Sequence, residues 1–481
     1  VADALPVLAV FVPFVGGILQ FLAGRRWLLV LPLSTSIATV LVTAALIGVF
    51  ARHGVPEHSL GGWEVPLGIQ LRMDGLAAVM LLLTTTVGAM VSVYALAYYR
   101  QQTKKAHHFW ALWLLLWGSL NALFLSGDLF NIYVTLELVS LAAIPLLLLA
   151  GPGKTVDAAL RYLHYALFGS LIYLAGVALV YGLAGSLDLA LVQPALAEGG
   201  FTASAAAACL ILGILIKAAI LPFHVWLPDA HGNAPAAVSA LLSALVVKAA
   251  VYLLLRLWTG PLAGLPSEAV AQLLGVLGAT AIILGSVLAF RQQRLKLVVA
   301  YSTVAQLGYM LLFFPLAVTQ AWQGAVYHGL AHGVAKAALF LAAGNVLLYV
   351  GHDRLTELRG LDRPLSLSLM AFALAGVSIM GLPPSGGFVA KWLLLSAALE
   401  TGQWWWAAVL LSGGLLAAGY IFRVLRYAFL HSPGPAIDRP GPVPSVFLAW
   451  SAMVLALLSL ALGFTAAPIL DLLGDLPGAP A

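Results

Sequence analysis

The chain has 481 residues, of which 62% are hydrophobic and only 9% charged. Soluble domains carry about 25% charged residues, so a soluble globular fold is excluded and a polytopic membrane protein is expected. The net charge of +5 sits in short loops between apolar stretches, which argues against a nucleic-acid surface, and a single cysteine, Cys209, leaves no intrachain disulfide or cysteine-held metal cluster.

A bilayer asks for about 20 apolar residues per helix. Fourteen such spans are predicted, at about 4–22, 28–50, 74–99, 109–126, 128–150, 158–184, 203–222 continuing to 228, 235–258, 268–290, 296–316, 322–350, 365–399, 404–430 and 444–470. The first reads as a helix rather than a cleavable signal, because no basic segment precedes it. Few residues follow the last span, and no appended arm is expected. With the N-terminus outside, the inner loops hold sixteen of the 23 Lys and Arg residues, among them Arg25, Arg26, Arg100, Arg291, Arg294, Lys296, Arg359 and Arg439. The outer loops hold three: Arg52, Arg72 and Arg256. That asymmetry places both termini outside.

Two spans are interrupted. Pro222, Pro228 and Pro235 follow Lys217, while Pro383-Pro384 and Gly386-Gly387 precede Lys391. Carbonyls freed by such breaks are tolerated only against protein or a hydrated cavity. A pair of interrupted spans is also the mark of an inverted-repeat transporter. The expected fold is therefore all-α, with spans 4–8 and 9–13 forming two inverted five-helix repeats whose seventh and twelfth helices are broken. The domains follow: peripheral helices 1–3 in 1–106, the first repeat in 107–260, the second in 261–432, and the last helix with a short tail in 433–481.

Ionisable residues inside the spans are the functional signal, since a charge near the bilayer centre costs at least about 2.5–3.5 kcal/mol. Glu137 lies two turns into the fifth span. Alone it would take up a proton; beside Lys217 both groups stay ionised, and a change in their separation makes the lysine hold or release its proton. A static ion pair that fixes helix packing is the alternative. Lys248 sits mid-span in the eighth. His328, His332 and Lys336 recur every four residues and share one helix face, and histidine titrates in the physiological range. A His-x-x-x-His pair also suits a metal, but no acidic or cysteine ligand is near, so none is expected. Lys391 closes the row, and Lys336 is expected to be a milder flank of the histidine pair. Asp128, His224, Asp229 and His231 are candidates for the mouths of the path, and each reads equally well as a cap, a turn residue or an interfacial group. No phosphate loop, haem motif or nucleophile elbow is present, so the expectation is a transporter subunit without cofactor rather than an enzyme.

The segments LIKAAILPFHVWLPDAHGNAPAAVSALLSALVVKAAVYLLLR, AYSTVAQLGYM, YHGLAHGVAKAALFLAAG and GLPPSGGFVAKWLLL resemble the antiporter-like subunits of respiratory complex I and Mrp cation/proton antiporters, over about residues 100–400. SGDLFNIYVTLELVSL, the lysine at 391 and the length are most similar to MrpD. The resemblance implies a proton path through Glu137, Lys217, Lys248, His328, His332 and Lys391 in a fourteen-helix subunit of a multisubunit complex. The implied function is proton translocation within a Na+/H+ antiporter of a bacterial or archaeal cell membrane. Its partners would be other membrane subunits, protons, the lipid bilayer and Na+ handled by the complex. Two other settings stay open: a redox-driven complex such as a membrane-bound hydrogenase or a NADH or ferredoxin dehydrogenase, and a proton-coupled complex for inorganic-carbon uptake.

Overall fold

A computed structural model describes residues 2–23, 27–358, 360–361, 363–429 and 441–478. Arg25, Arg26, Arg359 and Arg439 of the loop tally lie outside the described residues. The helices are α1 (Leu5–Leu22), α2 (Val30–His53), α3 (Gly75–Tyr98), α4 (Thr103–Leu125), α5 (Leu129–Leu148), α6 (Lys154–Ala184), α7 (Gly200–Lys217, continuing as Trp226–Asn233), α8 (Ala236–Thr259), α9 (Glu268–Arg291), α10 (Leu295–Leu316), α11 (Thr319–Val350), α12 (Ser366–Met380 and Gly386–Glu400), α13 (Trp404–Phe429) and α14 (Val446–Ala461 and Ala466–Leu473). Twelve are long and apolar enough to cross a membrane, and the two parts of α14, bent by 77°, make a thirteenth. The remaining expected span is α12, whose halves of 15 residues each are too short alone. A small antiparallel hairpin, β1 (Glu57–Ser59) with β2 (Gln70–Arg72), marks one end of the bundle. The opposite end carries Arg100, Lys154, Arg291 and Arg294 and is called the basic end below.

The breaks follow from local chemistry. Proline lacks an N–H and pushes the preceding residue away from helical geometry, and Ala219 already takes a left-handed φ of 55°. The first part of α7 therefore stops at Lys217, about a turn before the expected end at 222. The chain then turns helical again, so Asp229 and His231, expected in a loop, stand on the helix Trp226–Asn233. In α12, Gly381 ends the first half with a φ of 80°, and Ser385 Oγ accepts a hydrogen bond from Phe388 N at 3.2 Å to cap the second. Inside α8, residues Leu242–Val246 form a π turn that no sequence feature announced.

Burial ranks the helices. α8 is wholly enclosed, α10 and α11 nearly so, while α2 and α13 expose most of their apolar surface. α3 departs from the expected periphery. It is buried against α8, α11 and α14; at Gly75 the missing side chain lets the α14 backbone at Leu472 and Leu473 approach closely, and at Gly88 it makes room for the Trp113 and Trp117 rings of α4. α6 lies along both parts of α7, and α11 along both halves of α12.

Two reciprocal glycine contacts hold α6 close against α7 and α9 close against α10. A Cβ on Gly213 of α7 would stand 2.6 Å from the Gly169 carbonyl of α6, and one on Gly278 of α9 would stand 2.7 Å from the Gly308 carbonyl of α10. In each case backbone would have to give way. Gly278→Ala is therefore expected to cost about 1–3 kcal/mol of stability, read as a lower melting midpoint of the detergent-purified protein. Gly48→Ala, whose Cβ meets nothing within 4 Å, serves as the control and is expected to leave that midpoint unchanged.

Candidate proton path

The end of α7 places Lys217 against α5. Its ammonium donates to Glu137 Oε1 at 2.9 Å and, more weakly, to Ser140 Oγ and the Leu136 carbonyl, both at 3.4 Å. Ser170 Oγ of α6 also donates to Glu137 Oε1. Lys217 is buried, whereas the Glu137 side chain keeps 20% of its surface exposed. The Ile216 carbonyl beside Lys217 accepts from Ala219 N at 3.2 Å and from the Trp226 indole N–H at 3.3 Å. A cavity of about 20 Å³ adjoins the pair, lined by Ser140, Tyr162, Lys217 and Trp226 and by Val246 and Ala250 on α8. It has room for about one water between Lys217 and the helix that carries Lys248.

Lys248 is fully buried and donates to the Ser243 carbonyl. The π turn supplies that acceptor, and π turns tend to occur where a helix does more than span. Lys336, equally buried, donates to the Val299 carbonyl at 2.7 Å and to Ser302 Oγ. It is thus as fully buried as Lys248. His328 and His332 stack at 5.6 Å with 24° between their planes, and neither ring closes a good hydrogen bond among the described residues. Both feel the charges of Lys248 and Lys391. Lys391 donates to the Ile379 carbonyl at 2.8 Å and to that of Met380 at 3.3 Å, both freed by the α12 break. Its ammonium also lies 4.4 Å over the Tyr309 ring, which is 5.1 Å from His328.

The weaker candidates separate. Asp128 caps α5, accepting from Asn131 N at 2.7 Å, and Asp229 pairs with Arg161 at a half-exposed position. His224, half-buried beside the α7 break, is not brought to the row. His231 is fully buried, and its ring is 5.6 Å from Phe340 of α11, the helix that also carries His328, His332 and Lys336. Two further buried polar groups carried no clear mark in the sequence. Lys296, assigned to a loop, is buried at the basic end of α10 and donates to the Ala234 carbonyl. Tyr309 had no polar-in-apolar signal because tyrosine is common in membrane spans. A charge at the first residues of a span, as at Lys296, likewise looks like a loop residue.

Residues 126–417 match the NADH:quinone oxidoreductase/Mrp antiporter transmembrane family, and residues 60–109 match the N-terminal part of complex I chain 5. The chain belongs to this antiporter family, as an MrpD-like member. A NADH-quinone oxidoreductase subunit from Desulforudis audaxviator is 36% identical, covering 91% of this chain and 89% of the relative. A Na+/H+ antiporter subunit from Bacillus subtilis is 27% identical, covering 95% and 93%. A chain of the Mrp complex from Dietzia sp. superimposes with a TM-score of 0.90 at 27% identity, covering 99% of this chain and 98% of that one. The family match runs from α5 to α13 and so takes in every group of the row.

The Glu137–Lys217 contact generates a stability test for this antiporter-family chain. Breaking a buried ion pair by removing one partner costs about 3–5 kcal/mol, because the other charge is stranded. Lys217→Met alone is expected to lower the melting midpoint clearly. Adding Glu137→Gln should recover a large part of the loss, since the stranded carboxylate disappears. Additive losses in this double-mutant cycle would show that the two groups do not interact.

Proposed function

We propose that the chain is the proton-translocating subunit of a Na+/H+ antiporter of the Mrp type. In this reading, protons cross through Glu137, Lys217, Lys248, Lys336, His332, His328 and Lys391, and other membrane subunits of the complex handle Na+. The observation that carries it is that Lys217, Lys248, His328, His332, Lys336 and Lys391 are all buried within α7, α8, α11 and α12, and that of these four lysines only Lys217 has a carboxylate partner among the described residues. Amines held by carbonyls and hydroxyls exchange a proton without having to leave a fixed counter-charge. Like charges at Lys248 and Lys336 repel, so a proton arriving at one favours departure from the other.

In the same reading, the five-helix groups α4–α8 and α9–α13 are the two halves of the translocation unit, each built around one broken helix. The basic end faces the cytoplasm and the hairpin end the outside, by the bias of Lys and Arg in the loops. A redox-driven setting is the second reading, and the 36% identity to an NADH-quinone oxidoreductase subunit favours it. The proton row would serve either drive unchanged.

Identification of the chains that co-purify in mild detergent separates the two. Small hydrophobic partners alone support the antiporter, whereas iron–sulfur or flavin partners support the redox complex. In vesicles containing the complex, Glu137→Ala, Lys217→Ala and Lys391→Ala are each expected to reduce proton transport by an order of magnitude or more with assembly intact. Lys336→Ala is expected to be as severe as Lys248→Ala. Normal transport in any of the first three removes the assigned path.

A further inference from the structure

At the hairpin end, α3, α8, α11 and the β2 strand enclose a cavity of about 280 Å³. The polar groups of its lining include Gln70, Asp74, Asp188, Gln193, Arg256 and Thr259. At its wall Arg256 makes a two-pronged contact with Asp74, donating from Nη2 to Oδ1 at 2.7 Å and from Nη1 to Oδ2 at 2.9 Å. The third donor of the same guanidinium, Nε, reaches Tyr252 Oη at 2.5 Å, and Tyr252 Oη in turn donates to the Phe124 carbonyl at 2.6 Å. Tyr252 is fully buried, whereas the Arg256 and Asp74 side chains keep 13% and 35% of their surface exposed. Arg256 therefore stands between the cavity and the hydroxyl. On α8, Lys248, Tyr252 and Arg256 follow one another at intervals of four, which puts them on one helix face. A second polar group waits at the cavity wall: the Trp322 indole N–H is buried and has no hydrogen-bond partner among the described residues.

We propose that this cavity is the outer aqueous mouth of the proton path and that the Asp74–Arg256 pair is its closure, separating the cavity from Tyr252 and, one turn deeper, from Lys248. The proposal rests on the proton-path reading for its cargo, while the closure itself rests on the geometry alone. Arg256 is a positioning residue here: it holds Tyr252 in its bond to Phe124 and blocks the helix face behind it. Burial works against the Asp74 carboxylate, but the adjacent Arg256 guanidinium outweighs it and holds that carboxyl below the usual carboxylate range. The pair thus stays ionised near neutral pH, and opening requires displacement of Arg256 rather than protonation of Asp74.

Thiol accessibility tests the closure without depending on transport. In a Cys209→Ser background, with the full chain in its native membranes, Gln193→Cys is expected to react with a membrane-impermeant thiol reagent applied from the hairpin side. Tyr252→Cys is expected to react at least tenfold more slowly, and adding Asp74→Asn should bring its rate close to that of Gln193→Cys. Arg256→Lys, which keeps the charge and gives up the two-pronged contact, should do the same and serves if the Asp74 variant fails to accumulate. An unreactive Gln193→Cys, or a Tyr252→Cys rate that neither variant changes, overturns the proposal.

Passive proton conductance then tests the link to the row. Asp74→Asn is expected to raise the conductance of vesicles severalfold, and Lys248→Ala in the same chain should remove the increase. A leak indifferent to Lys248, or no leak, rejects the cavity as part of the path. Normal coupled transport in Lys248→Ala alone would instead count against Lys248 as a proton carrier, with the thiol result still deciding the closure.

Discussion

A buried ammonium needs acceptors, and where this bundle finds them decides what its lysines can do. Lys391 takes the carbonyls of Ile379 and Met380, which the α12 break releases, and Lys248 takes the Ser243 carbonyl at the π turn. Lys296 takes the Ala234 carbonyl, at the end of the segment that resumes after the α7 break. In each of these cases an irregular helix turn supplies the oxygen. A carbonyl dipole solvates a proton carrier yet carries no net charge, so it stabilises the ammonium without fixing it as firmly as a carboxylate would. The helix breaks are therefore part of the chemistry of the row and more than interruptions of the fold.

Lys217 differs from these three in having a carboxylate partner. Its counter-ion, Glu137, lies 2.9 Å away and is held on its other side by Ser170. A charge at this end is stabilised only while the pair is together, so any movement between α5 and α7 changes proton affinity there more than at Lys248 or Lys391. Moving one charge through 100 mV is worth about 2.3 kcal/mol, and the separation of one ion pair in a low-dielectric setting is of that order or larger. Packing around the pair, including the Gly169–Gly213 contact of α6 with α7, thus bears directly on transport energetics.

Much of this was legible beforehand because charge in an apolar run is a strong signal. Glu137, Lys217, Lys248, Lys336 and Lys391 stood out for that reason, and the two breaks stood out through their prolines and glycines. Other features carried no comparable mark. Lys296 sits within the first residues of a span, where a basic residue is ordinary, and Tyr309 and Tyr252 belong to a residue type that membrane helices use freely. Asp74 and Arg256 are 182 positions apart, so their pairing exists only once α3 has packed against α8. The expected periphery of α3 went wrong for the same reason: hydropathy measures how apolar a helix is, not whether lipid or protein covers it.

The sequence by itself determined the solvent, the all-α polytopic class, the sites of the helix breaks and most of the buried ionisable groups, because each of these is local and costs free energy if wrong in a bilayer. Tertiary structure alone decided which carbonyl accepts from each lysine, that α8 is enclosed on every side, that His231 is buried while His224 is only half-buried, and that a polar cavity ends at the Asp74–Arg256 pair. Those outcomes depend on contacts between segments far apart in the chain, and in a membrane such contacts are selected by close packing of small residues and by satisfaction of buried polar groups, neither of which has a period or a composition that a single segment displays.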